Sequence, residues 1–416
     1  MPLATDLANR TGKHYFAPKS TDVGGSTEAL ISEKVGNRQV LLTASASLTG
    51  NQNVPHPPMA GPFPTMPAPA FGSSSLIVVA YPGDNHVEFR QAALALFGTE
   101  IDTGLHHNVP VVDPAGIVLL PGYGETESQI LTRDQGAWRW GNYTTSSAAA
   151  NAFGARLCTP GQLVVDAGTQ LTALKGMTSA NPGGGTSTAL SSADPPAWPP
   201  VVLRDASSVA HILTFRTAGG NSVVYHFTWN GSALVPGTAP GSLQVNGYVI
   251  SGPAAIAVQV GGVTPRFVLP TNRGVLLSAP VAFTSTTTFA FTGVAGDNVT
   301  LGGVVTTHLR RADGLYAIVG DSAGTVNAVR VSDGAVLAGY GWPIRISGTA
   351  PRIVESPAVI TLGTARWLVV SWEDGNDGFI NVYELSPAAE AAPEVEWPEF
   401  QRDGTNSGCV ALPTVN

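Results

Sequence analysis

The stretch Asp374-Gly375-Asn376-Asp377-Gly378 comes nearest to a metal loop, because side-chain oxygens alternate there with glycines that let the backbone wrap an ion. Asp374, Asn376 and Asp377 are therefore the candidate hard ligands, and Ca²⁺ is the candidate ion. The stretch lacks the repeated Asp spacing and closing bidentate Glu of a dedicated calcium loop, and a hairpin turn would use the same residues. His106 and His107 could serve as ligands or bases, but neighbours on an extended strand point to opposite sides, and no H-x-H spacing supports them. His211, His226 and His308 fall inside apolar strand patterns and read as structural. Serine, histidine and aspartate occur without a Gly-x-Ser-x-Gly elbow. The carboxylate pairs Glu125/Glu127 and Asp374/Asp377 suit glycosidic acid–base work, but solvated turns account for them equally. No catalytic residue is assigned. Recognition chemistry is better represented. Asn53 to Pro69 is too Pro-dense for a ladder strand or a helix, so Pro57, Met59, Phe63 and Met66 are presented by a loop as candidate partner contacts.

The elements that must position these residues are short strands. Only 12% of the 416 residues are charged, while glycine takes 48 positions and proline 32, which favours many turns over long solvated helices. With 21 basic against 29 acidic residues the net charge is −8, and no Lys/Arg cluster tracks a phosphate backbone, so nucleic acid is not an expected partner. No apolar run approaches the ~18–20 residues of a membrane span, and Met1 to Asp6 has neither a basic nor an apolar leader segment. The expectation is a soluble chain without direct membrane insertion, from which any export signal has been removed. Cys158 and Cys409 are the only cysteines, which excludes a disulfide framework and a four-ligand cysteine zinc site. Whether they pair stays open, with two unpaired thiols as the simpler reading.

Between Leu315 and Gly408 one strand plan occurs twice. Tyr316–Gly320, a turn at Asp321–Gly324 and Thr325–Val331 form the first copy; Trp367–Trp372, Asp374–Gly378 and Phe379–Leu385 form the second. The run Gly320-Asp321-Ser322-Ala323-Gly324-Thr325-Val326-Asn327-Ala328, followed by Gly341-Trp342-Pro343, resembles a blade of the PQQ-like (quinoprotein dehydrogenase-like) β-propellers. Ser356-Pro357-Ala358-Val359 fits the start of the next blade. Trp397-Pro398 through Arg402-Asp403 to Ser407-Gly408 is similar to the segment that ends many exported bacterial propellers of this kind.

The resemblance implies an all-β chain with one propeller, of about seven four-stranded blades with eight as the alternative. Residues 1–20 read as an N-terminal tail that lies on the ring or helps to close it, 21–408 as the propeller, and 409–416 as a C-terminal tail. The first blade carries an insertion loop over 50–72, and a Gly/Ser/Thr-rich loop over 175–196 is expected to be mobile. Quinoprotein dehydrogenases carry an adjacent Cys-Cys pair and a Trp-docking motif in blade after blade. This chain has no Cys-Cys, and its Trp motif survives only near Trp342, so no cofactor is expected beyond the candidate Ca²⁺. The resulting expectation is a non-enzymatic, extracytoplasmic binding or scaffold module for protein or glycan partners, part of a surface or envelope assembly in one version. The contrasting class is an enzyme, a degenerate quinoprotein or a propeller hydrolase or lyase, working at the channel mouth.

Overall fold

The computed structural model describes residues 3–10, 13–15, 19–23, 26–35, 38–44, 51–54, 70–73, 76–80, 86–91, 99–102, 104–113, 117–134, 137–144, 151–177, 185–189, 196–237, 241–258, 264–284, 287–310, 314–353, 355–362, 365–375, 377–385 and 408–412. Side chains are described from residue 104 onward, apart from short stretches. The described strands assemble into eight sheets, antiparallel apart from one parallel pairing, and divide between two compact units.

One unit holds four sheets. They comprise Lys13–Tyr15 to Asn51–Val54, Ala255–Ala257 to Ala290–Gly293, Leu301–Arg310 to Ile344–Arg345, and the sheet of Ala358–Leu362, Ala365–Asp374 and Asp377–Leu385. Leu3–Arg10 pairs antiparallel with Asp377–Leu385, so a strand from the start of the chain completes the last of these sheets. The other unit holds Ala70–Ser73 to Thr99–Asp102, Val111–Asp113 to Ala137–Thr144, Ala152–Arg156 to Gly185–Ala189, and Pro196–Arg204 to Ser242–Val245. Cys409–Ala411 joins the last of these, parallel to Pro196–Arg204, with Val202 opposite Cys409.

These placements bear on several expectations. Residues 3–10 form a strand that a sheet recruits, where the sequence allowed either a tail on the ring or a contribution to its closure, and residues 409–411 form a strand inside the span expected to be a C-terminal tail. The span read as one insertion-bearing blade, or as two in the eight-blade alternative, contains two sheets, one from Lys13 to Val54 and one from Ala70 to Asp102. Inside the expected loop 175–196, Gly185–Ala189 pairs with Gln170–Leu174. Its Thr186-Ser187-Thr188 core is compatible with a pleated edge, a preference that the surrounding glycines mask in sequence.

Local chemistry explains the hairpins. The Asp321 carboxylate accepts the amides of Ala323 and Thr325 at 2.9 Å each and the Asn327 side chain at 3.2 Å, which fixes the turn after Gly314–Asp321. Asp205 holds its turn in the same way, accepting Ser207 N and Val209 N at 2.9 Å. Gly320 is required by packing, since a Cβ there would collide with Ile353.

The cores lie between sheets that follow one another in sequence. Ile318, Val326 and Trp342 pack with Leu368, Val370 and Trp372; Leu119 and Ile130 pack with Leu163 and Leu174; Leu157, Val164 and Leu171 pack with Ile212, Phe227 and Trp229. A buried ion pair crosses the last of these interfaces. Arg216 donates Nη1 to Asp166 Oδ2 at 2.7 Å and Nη2 to Asp166 Oδ1, and both side chains are fully buried. Burial pushes the Asp166 carboxyl up, and the Arg216 guanidinium pulls it back.

Cys158 and Cys409 form a disulfide with Cα atoms 5.6 Å apart, across a sequence separation of 251 residues. Closing so long a loop restricts the unfolded chain by up to about 5 kcal/mol in the chain-entropy account. Replacing both cysteines with serine is expected to lower unfolding free energy by a few kcal/mol, read from the denaturant midpoint; an unchanged midpoint would show that the C-terminal strand stays docked without the bridge.

Glu355 is buried just before Ala358–Leu362, where burial and then the charge of Glu373 push its carboxyl well above the ordinary value of 4.5. Above that ordinary value the unfolded chain releases a proton that the native state keeps, so this group lowers stability as pH rises through the window. Glu355→Gln is therefore expected to match the parent's melting temperature near about pH 4 and to exceed it near about pH 8, as measured by calorimetry.

Candidate functional site

Of the expected calcium ligands, Asp374 has hydrogen-bond partners in this structure. Asp374 Oδ2 accepts Thr349 N and Oδ1 accepts Ala350 N, both at 2.8 Å, so its carboxylate pins the 348–350 turn. Asp377 stands opposite Asp374 at the end of the hairpin, and Asn376 lies outside the described residues. Pro57, Met59, Phe63 and Met66 also lie outside them. Among the described residues no group of three His, Cys, Asp or Glu could hold a metal ion.

The remaining candidates separate by burial. His106 is exposed and meets Glu125 Oε1 at 3.0 Å through Nδ1, whereas His107 is fully buried. Burial drives the His107 pKa down to about 3, with the Gln129 hydrogen bond opposing it. Glu127 accepts Asn142 Nδ2 at 3.0 Å. Trp229, Trp342 and Trp372 are core residues, and Trp372 stacks on Phe379 at 4.1 Å. The side chains of Trp138 and Trp140 are outside the described set.

Two constellations that the sequence does not single out emerge instead. The first is a cleft of about 290 Å³ between the sheet ending in Ala290–Gly293 and the following sheet. Strand alternation builds it. Arg266 and Val268 on one strand and Leu276 and Ser278 on its neighbour share a face, with Ala317 and Val329 opposite. Arg266 donates Nε to Ser278 Oγ at 2.7 Å and Nη2 to Ser278 O at 3.0 Å, which holds the guanidinium against the wall. Partial burial lowers its pKa, and no carboxylate among the described residues pairs with it. At the other rim Arg330 forms a bidentate pair with Asp333, at 2.9 and 2.6 Å. Gly334 closes that turn with φ +76°, and a Cβ there would collide with the Thr292 hydroxyl, so glycine sets the spacing of the two walls. Phe291 is out of phase with Ala290 and Thr292, which puts its ring on the other face, 5.7 Å from Tyr248.

The second constellation is a line of titratable groups. Asp205 Oδ2 lies 3.2 Å from His211 Nε2, and His211 Nδ1 lies 3.0 Å from His226 Nε2. The two rings are inclined by only 6°, with centroids 5.2 Å apart. That spacing is the N···N distance plus a ring radius on each side, so the imidazoles lie end to end. Their facing nitrogens are therefore aimed at each other instead of converging on a metal. The carboxylate assigns a hydrogen to His211 Nε2, leaving Nδ1 to accept from His226 Nε2–H. His226 Nδ1 is buried without a partner, beside Gly237, where a Cβ would collide with it.

Sequence carries a signal for the first of these and none for the second. Arg266 is a lone charge in the apolar run Arg266-Phe267-Val268-Leu269, and Asp205, His211 and His226 become neighbours only when the hairpin register is known.

No family model matches the chain, and no curated protein matches it. Solved structures do. The chain is similar to the Dos1 propeller over 91% of its length and 95% of that chain, at 10% identity and a TM-score of 0.56. It is also similar to the Myceliophteria thermophila Cps50 (Swd1) β-propeller domain, over 80% and 98% of the two chains at 9% identity and TM-score 0.46. U3-55K matches over 78% and 97%, at 12% identity and TM-score 0.45. The first likeness, with the strand content described above, defines an all-β protein of the β-propeller class. Identity this low carries the fold alone.

The histidine line generates a pH prediction. Burial, then the charge of His211, lowers the His226 pKa from 6.5 to about 4. Between those values the unfolded chain binds a proton that the native state resists, so stability is full above the upper value and falls as pH drops towards the lower. Thermal unfolding followed across this window should show that loss, and His226→Gln should flatten part of it. Parallel curves for parent and variant would mean that the pair does not sense acid.

Proposed function

We propose that this β-propeller is a non-catalytic binding module of the PQQ-like kind, working outside the cytoplasm on a protein or glycan partner. The observation that carries the reading is the cleft built on Arg266. Its aliphatic floor, oriented cation and ion-paired rim supply surface, charge and shape for recognition. The Cys158–Cys409 bridge supports an oxidising compartment, where such bonds form and persist. A net charge of −8 favours partners other than nucleic acid. The residues between the strands Asn51–Val54 and Ala70–Ser73, with Pro57, Met59, Phe63 and Met66, are a second recognition element in this reading.

The competing enzyme class makes a different demand on the purified protein. Elemental analysis and an absorption spectrum of the full chain from an oxidising expression host are expected to show neither stoichiometric calcium nor a quinone band. Either signal at one equivalent per chain would replace the binding reading with a cofactor-dependent one.

A further inference from the structure

Given the binding-module reading, on which this inference rests, the Arg266 cleft specifies more than binding in general. We propose that the cleft docks an extended acidic segment of a protein partner, seating an apolar side chain over Val268, Leu276 and Val329 and its neighbouring carboxylate on Arg266.

The cleft's size limits its occupant. About 290 Å³ is at the lower limit of small-molecule pockets, ~300–1,000 Å³, and suits one or two side chains better than a cofactor. Its charge selects an anion. Arg330 is neutralised by both oxygens of Asp333, whose pKa is thereby held down to about 2, so the rim adds no net charge. Among the described residues Arg266 is left as the cleft's uncompensated cation. Ser278 occupies its Nε and one direction of Nη2, leaving the rest of the planar fork for an incoming carboxylate.

The lining of the cleft favours peptide over sugar. The floor is aliphatic, from Val268, Leu276, Ala317 and Val329, while the one aromatic residue at the cleft, Phe291, turns its ring to the opposite face. Among the described lining residues a sugar would find no ring face to stack on. The sheet also ends here. Ala290–Gly293 pairs on one side only among the described residues, with Val275–Ser278, so its outer edge can accept extended backbone beside the cleft.

The probe is a phage-displayed random dodecapeptide library panned on the full chain. Enriched sequences are expected to place Asp or Glu beside Leu, Ile, Val or Phe. Synthetic versions measured by fluorescence anisotropy should weaken at least about tenfold on Arg266→Gln and should weaken as ionic strength rises. Changing the peptide's Glu to Gln should cost a similar factor in the parent and little more in Arg266→Gln, because both changes remove one contact. Ser278→Ala, which frees Nε and loosens the fork, should give a smaller loss and replaces Arg266→Gln if that variant melts lower than the parent. Peptides that bind without an acidic residue, or equally well to Arg266→Gln, would overturn the site assignment while leaving a binding module in place. Acidic oligosaccharides that bind through Arg266 and are not displaced by any selected peptide would overturn the choice of partner. A library that yields no enrichment at all would overturn the docking site itself.

Discussion

Several of the described small sheets are buried on both faces, and that constraint governs the rest. Gln162–Ala167 is buried along nearly its whole length, as is Gly314–Asp321, so neither sheet can turn one side to water. Within each unit, sheets that follow one another in sequence pack through apolar clusters, and apolar contact alone is non-directional. Direction comes from arginines that cross the interfaces. Arg156 reaches Asp113, Arg204 reaches Thr159 and the Cys158 carbonyl, Arg216 reaches Asp166, and Arg366 reaches Thr307 and the His308 carbonyl. The rigid fork aims two nitrogens at once in Arg216 and Arg366, so a chain with few charges uses arginine where register between sheets must be set. Asp166 and Arg216 carry the largest risk, since a buried charge without its partner costs about 3–5 kcal/mol.

The ends of the chain meet the same constraint. A sheet that lacks an edge strand leaves backbone groups unpaired, and here both termini supply strands to sheets formed from distant sequence. Leu3–Arg10 takes the edge of Asp377–Leu385, and Cys409–Ala411 lies beside Pro196–Arg204. Three residues in parallel pairing hold weakly, which is where the bridge to Cys158 acts. It converts a short local pairing into a long-range tether, and its effect on the unfolded chain grows only slowly with loop length.

Local structure is legible in the sequence, and long-range structure is opaque there. Asp321-Ser322-Ala323-Gly324 reads as a turn because the aspartate satisfies amides two and four residues on, all within one short stretch. Asp374 looks like a metal ligand for the same compositional reason, yet its acceptors are used by amides 24 and 25 residues earlier, which no local pattern reveals. The pairing of Cys158 with Cys409 stays open in the sequence because it depends on where a terminal strand lands. His211 and His226 lie in strands, as their apolar surroundings suggest. Their end-to-end alignment depends on a register in which His226 faces Leu213, diagonal to His211.

Arg266 is inconspicuous in the sequence for a different reason, and that reason bears on function. The other interface arginines point at carboxylates or carbonyls of a neighbouring sheet, and each completes a structural contact. Arg266 instead leans on Ser278 of its own sheet and faces a cleft, so its guanidinium is oriented by the fold but not neutralised by any described carboxylate. Structural economy would replace such a half-buried cation with an apolar residue, because partial desolvation already works against its charge. A charge that is positioned, partly dehydrated and uncompensated contributes little to folding. It acquires a use when a partner brings the missing anion.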